Sequence, residues 1–322
     1  MKSIFSRTRF GKLPRFMRFM RFMHFARQTR KLAVAGLALT AMAVSGVAQA
    51  ATLTIGGKNF TEQLILSEMT AQYLKSKGYD VELKNGLGSV VMRQGMESNQ
   101  LDVVWEYTGT SLIVYNKVTE KLDPAQTYER VKELDGKIGI VWLNPSTLNN
   151  TYAFAMPGKI AREAGIETVS QLIERFKANP KMQFAFDMEF VGRSDGLEPM
   201  EQLYDFHLER ENIKQMDPGL VYTALKNEQI DSGLVYTSDG RNKGFDLKVL
   251  TDDKGFFPAY AATPVVRKEV LDANPKLADE LNVLAAKIND ENMREMNARV
   301  DIEHKGVARV AREFLAQEGL VQ

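Results

Sequence analysis

Polar and apolar residues alternate over 52–55, and beyond the Gly56-Gly57 turn Ile65, Met69 and Tyr73 recur at helical spacing. That pattern predicts a strand followed by a helix over 61–77, with Gly78 as its C-terminal stop. Alternation returns over 79–84, Ser89 offers a cap for a helix running to Ser98, and 101–107 reads as a largely buried strand. Strand, helix, strand, helix, strand implies an α/β sheet. The pattern resumes with a helix opening at Pro124, a strand over 138–143, a Pro-Ser-Thr-Leu-Asn-Asn loop and an apolar strand over 152–156. Pro157-Gly158 then interrupts the chain and is read as the first crossing between lobes. Helical segments near 160–164 and 169–176, a strand over 184–186, a helix from about Glu198, and strands near 232–236 and 247–250 make a second α/β lobe. Phe256-Phe257-Pro258 and the strand after it read as the return crossing, and the charged, amphipathic tail from Pro275 to Leu320 as helices packed back on the first lobe. Two crossings predict two lobes and a cleft: 51–151 plus 259–322 form one lobe, 152–258 the other.

The first 50 residues do not fit this pattern. Ten basic residues and no acid occupy 1–31, an apolar stretch of sixteen residues fills 32–47, and Ala48-Gln49-Ala50 ends it. This is the three-part layout of a cleavable secretory signal, with cleavage expected after Ala50. The stretch is shorter than the roughly 20 apolar residues of a membrane-spanning helix, and an uncleaved anchor is the alternative. No cysteine follows the cleavage site, so a lipid-anchored product is not expected, and a Gram-negative periplasm fits best. The basic region is long and carries a threefold Arg-Phe-Met repeat from Arg15 to Met23; a signal beginning at Met23 has ordinary length, which makes Met17, Met20 or Met23 candidate starts.

Charge reads differently once that segment is set apart. Ten of the 42 basic residues and none of the 41 acidic ones lie in it, so the remainder carries 32 against 41, a net of −9. An acidic module makes a nucleic-acid partner improbable. The chain has no cysteine, which excludes a disulfide framework and a thiolate metal site. Its remaining 272 residues suffice for one large or two ordinary domains, and no further membrane span or solenoid repeat is expected.

Among candidate chemistries, Gly192-Arg193-Ser194-Asp195-Gly196 formally matches the G-x-S-x-G nucleophile elbow, with His207 and His304 as possible bases. An elbow needs a strand running into the serine and a helix immediately after it. Here the lead-in Glu189-Phe190-Val191 is brief and Leu197-Glu198-Pro199 delays the helix, so a loop is the better reading. His207 and His304 lie 97 positions apart with no zinc or calcium motif, and there is neither a P-loop nor a dinucleotide fingerprint. No metal and no cofactor are expected. More informative are the tyrosines at segment ends: Tyr107 after a buried strand, Tyr152 at the first crossing, Tyr236 after a second-lobe strand and Tyr260 at the return crossing. Each alone could be ordinary half-buried packing, but four at interlobe positions could line one cleft, and π-faces enclosing a cavity suit a cation that cannot donate hydrogen bonds.

Six ordered blocks carry a family resemblance: Gly57-Lys58-Asn59-Phe60-Thr61-Glu62-Gln63, Glu106-Tyr107-Thr108-Gly109-Thr110, Asn150-Thr151-Tyr152, residues 189–196, Tyr236-Thr237-Ser238-Asp239-Gly240-Arg241 and Phe256-Phe257-Pro258-Ala259-Tyr260. From about Thr52 onward the chain resembles the substrate-binding proteins of osmoprotectant ABC importers, which bind glycine betaine, proline betaine, carnitine or choline. The resemblance implies a two-lobed periplasmic binding protein fold (type II), a monomer, and a membrane permease as partner. It implies an aromatic box of Tyr107, Tyr152, Tyr236 and Tyr260 for the quaternary ammonium head, with Lys58, Thr110 and Arg193 for a carboxylate and Asn150 for a backbone contact. Choline would leave Lys58 and Arg193 desolvated beside another positive charge, so a zwitterionic betaine or carnitine is expected over choline. The remaining alternatives are a hydrolase using Ser194 and a binding module feeding a receptor instead of an importer.

Overall fold

A computed structural model describes residues 52–321, so the readings of the export signal, its start and its cleavage site lie outside the described residues. The strands in chain order are β1 (Leu53–Lys58), β2 (Val81–Leu87), β3 (Val103–Tyr107), β4 (Ile140–Trp142), β5 (Tyr152–Pro157), β6 (Phe184–Phe186), β7 (Ile213–Gln215), β8 (Ser232–Tyr236), β9 (Leu247–Val249) and β10 (Ala262–Arg267). The helices used below are α1 (Thr61–Ser76), α2 (Ser89–Glu97), α3 (Pro124–Gly136), α4 (Gly158–Ala164), α5 (Val169–Ala178), α6 (Leu197–Tyr204), α7 (Pro218–Lys226), α8 (Leu277–Ala285), α9 (Asp290–Asp301) and α10 (Val307–Gln317).

Two five-stranded sheets follow one plan, with orders β2-β1-β3-β10-β4 and β7-β6-β8-β5-β9. In each, parallel strands occupy one side and a single antiparallel strand is inserted next to the last of them: β10 between β3 and β4, β5 between β8 and β9. Each inserted strand is the chain arriving from the other lobe. The predicted two-lobed α/β architecture is therefore the architecture observed. The first crossing lies just before β5 and not at Pro157-Gly158, which ends β5 and opens α4 inside the second lobe. The two crossing segments run antiparallel, bridged at Asn149 and Ala261, and the Asn150 amide donates to the Tyr260 carbonyl at 3.2 Å.

Local chemistry explains the element ends. Asp123 caps α3 through a reciprocal bond with Gln126 while Pro124 fills the first helical position, and Thr168 with Gln171 does the same for α5. β4 starts two residues later than the hydrophobic pattern predicts, because Gly139 turns with φ +76° and leaves Ile138 exposed. The pattern does not predict β7 or α7. Pro218 sits at the first position of α7, and Val221, Tyr222 and Leu225 bury that helix against β8.

Helix α1 lies between sheet one and α10, so it buries polar Gln63 and Thr70 along with Ile65, Leu66 and Met69; Thr70 is satisfied by the Trp105 indole at 2.8 Å. The C-terminal helices pack against α1 of the first sheet, with one extension. Asn297 of α9 also donates to the Ser238 carbonyl of the second lobe, and Asp301 at its end pairs with Arg241.

Candidate functional site

Both sheets point the carboxyl ends of their parallel strands at the cleft, where ligands of open α/β sheets bind. β1 delivers Lys58, β3 delivers Tyr107, and β8 delivers Tyr236, which faces Tyr152 of β5 across the antiparallel ladder. Tyr260 precedes β10 at the return crossing. All eight residues singled out in the sequence line a single cavity: Lys58, Tyr107, Thr110, Asn150, Tyr152, Arg193, Tyr236 and Tyr260.

The rings form a continuous wall. Tyr152 lies 5.3 Å from Tyr236 and 5.5 Å from Tyr260, centroid to centroid. Phe60, which the sequence reading quotes only as part of a block, completes the wall: it stacks on Tyr236 at 5.0 Å and on Tyr107 at 6.2 Å. Its position, two residues past β1 and in the same block as Lys58, is the signal that could have found it. Burial holds the hydroxyls of Tyr107, Tyr152, Tyr236 and Tyr260 above the usual tyrosine range, so all four rings are neutral.

The charges differ from the sequence expectation. Lys58 and Arg193 are not unpaired cations awaiting a carboxylate. Lys58 Nζ bonds Glu106 Oε1 at 2.5 Å, and Arg193 grips Asp195 with two bonds of 2.7 and 2.6 Å; all four side chains are buried. Tyr260 also donates to Asp195, at 2.9 Å. Two buried ions that lack partners would be prohibitive, and the fold supplies an acid for each. Among the described residues, Arg193 Nη1 and the remaining ammonium protons of Lys58 have no protein acceptor, and Arg193 Nη2 also reaches Thr110 Oγ1 at 3.5 Å. The pocket keeps hydrogen-bond donors for an anion without an uncompensated positive charge.

Further acids surround it. Asp187 and Glu189 line the cavity, and Asp187 Oδ1 accepts the backbone amides of Glu189 and Phe190 at 2.8 Å each. Burial pushes the Asp187 carboxyl up. Behind the aromatic wall, Glu62 accepts from Tyr107 at 2.7 Å, Asn150 at 2.9 Å and Ser238 at 2.6 Å. Burial raises its carboxyl to about 7 even against those three bonds.

The nucleophile-elbow match is not realised as one. A 3₁₀ turn over Phe190–Gly192 separates β6 from the serine, and the Ser194 hydroxyl meets the Ile113 carbonyl at 3.5 Å. The His207 ring bonds Glu201.

The profile of the substrate binding domain of ABC-type glycine betaine transport systems matches residues 51–317. The chain belongs to this family. Within the family it is 54% identical, over 88% of its own length and 94% of the relative's, to a glycine-betaine-binding protein of Pseudomonas aeruginosa. It is 32% identical, over 82% of its length and 86% of the relative's, to the carnitine transport binding protein OpuCC of Listeria monocytogenes. A solved glycine betaine/carnitine/choline ABC transporter structure superposes with a TM-score of 0.67 at 30% identity, covering 83% of this chain and 99% of that one. These substrate-binding domains share the two-lobed plan described above. Among the described residues no helix is long and apolar enough to cross a membrane.

Proposed function

We propose that the protein captures a quaternary ammonium osmoprotectant, namely glycine betaine, proline betaine or carnitine, in the interlobe cleft and delivers it to the permease of an ABC importer. The observation that carries this reading is the wall of five aromatic rings beside the donors of Lys58, Thr110 and Arg193. A quaternary ammonium offers only methyl groups and diffuse charge, so rings must hold it, at about 0.5–2 kcal/mol for each favourable face. The carboxylate tail takes the donors that Glu106 and Asp195 leave over, with charge-assisted bonds of about 1.5–3 kcal/mol each. After ligand ordering and lobe closure, a total near 8 kcal/mol, or roughly micromolar affinity, is expected. The relatives' glycine betaine and carnitine support the same ligand class. Export by the N-terminal segment to the periplasm, action as a monomer, and binding without catalysis complete the reading.

The paired cations alter the expected selectivity. Choline leaves two pairs with unused donors, not two bare charges, so the betaine should win by a smaller margin than isolated cations would impose. Calorimetry against glycine betaine, proline betaine, carnitine and choline tests the proposal. Tyr236→Ala is expected to weaken binding by about tenfold or more. Absence of heat with every ligand, or equal binding by Tyr236→Ala, would overturn it.

A further inference from the structure

The N-terminus of α2 lacks a side-chain cap from its own segment. Gly88 stands at the capping position and no side chain of that segment bonds the helix, although the first amides of a helix need acceptors. The acceptor comes from the other lobe: Glu189 Oε1 takes the Ser89 amide at 2.9 Å. A carboxylate is favoured there by the helix dipole as well as by the bond. Gly88 has φ −73° and ψ 158°, a conformation open to any residue, yet a Cβ there would lie 2.9 Å from Glu189 Oε1. Backbone freedom does not call for this glycine; it leaves room for Glu189 Oε1, which a side chain at 88 would push aside.

Both ends of the contact lead to the ligand cavity. On the first lobe, the Tyr115 hydroxyl lies 2.9 Å from the Ser89 carbonyl and 3.1 Å from Glu106, two acceptors that share its one proton, and Glu106 holds Lys58. On the second, Glu189 is set by the Asp187 turn and is followed by Phe190, whose ring packs on Tyr152 at 5.4 Å. We propose that Glu189 is the latch of the cleft, a positioning residue that caps α2 across the mouth and slows release of bound ligand, and that Gly88 is its seat. This rests on the reading of the cleft as an osmoprotectant site.

Glu189→Ala should speed glycine betaine release in stopped-flow displacement by about tenfold while the association rate changes by less than about threefold. Gly88→Ala should act in the same direction. In the Glu189→Ala background Gly88→Ala should be silent, because its only effect is on Oε1; two merely destabilising changes would add. Glu189→Gln, which keeps an acceptor, should restore part of the loss. The chain has no cysteine, so spin labels at Lys137→Cys and Glu174→Cys, exposed on opposite lobes, report closure directly. The latch variants should lose short distances relative to the parent. Wild-type release rates and distances in Glu189→Ala, additive effects in the double variant, or a parent without any short-distance population with or without ligand would each overturn the latch. A parent that binds none of the osmoprotectants would overturn the ligand reading instead, and the label distances would still decide the latch.

Discussion

On the hinge side of the cleft, Glu62 leaves α1 and holds Ser238 of the second lobe in a place closed to solvent, with Tyr107 and Asn150 sharing the same carboxylate. At the mouth, Glu189 holds Ser89 through one half-buried bond. A buried acceptor cannot readily exchange its partners for water, so opening there would strand the Ser238 hydroxyl, while Tyr107 and Asn150 hold Glu62 in place. A bond at the mouth is exchanged for water at little cost. The hinge side is thus the part that persists, and the mouth the part that opens and shuts.

The sharpest way to break this contrast is Glu62→Ala. It strands three buried donors at once, and we expect a loss of about 3–5 kcal/mol in denaturant unfolding, against less than about 1 kcal/mol for Glu189→Ala. Equal losses would show that the two contacts are alike.

The pH dependence sharpens it further. Glu62 titrates about 7 when folded against an ordinary value of 4.5, so the folded protein holds a proton that the unfolded chain releases. That stabilisation is complete below about 4.5 and is lost as the pH rises through about 7. Burial pushes Asp187 and Asp301 in the same direction. Unfolding free energy should therefore fall from about pH 5 to about pH 8, and Glu62→Gln should remove a large share of that slope. A slope unchanged in Glu62→Gln would assign it elsewhere.

Asp195→Asn tests the ligand side of the cleft. It removes the charge facing Arg193 while keeping an acceptor for Tyr260, so the ratio of glycine betaine to choline affinity should rise by about tenfold in calorimetry. An unchanged ratio would mean that Arg193 does not meet the carboxylate. The smallest effect is expected from Ser194→Ala, which removes only the long contact to Ile113; affinity should stay within about twofold.

The sheets and the tyrosines were legible in the sequence because both depend on local order. Alternation marks a strand, and an aromatic at the strand's end then faces the cleft, as Tyr107 and Tyr236 do. The ion pairs were not legible. Glu106 and Tyr107 are neighbours on one strand and should point to opposite faces, yet Glu106 bends at the strand end to accept the Tyr107 amide as well as Lys58. Arg193 and Asp195 are close in sequence, but only the turn after Phe190 folds them into a pair. Phe60 sits in a loop where no periodicity applies. Helix α7 was hidden because its first residues, Pro218 and Gly219, are those of a turn.

The inserted strands carry a consequence for how the chain folds. In the first sheet β1 to β4 end at residue 142, but β3 and β4 meet only through β10, which begins at Ala262. That sheet therefore waits for a strand 120 residues farther along, after the whole second lobe. Pairings of such long sequence separation form late, since loop-closure entropy is lost before any contact is gained. The second lobe, with all five strands between residues 152 and 249, can assemble as one uninterrupted stretch. The order of folding then departs from the order of synthesis: the second lobe closes first, and the segments on either side of it close last, together.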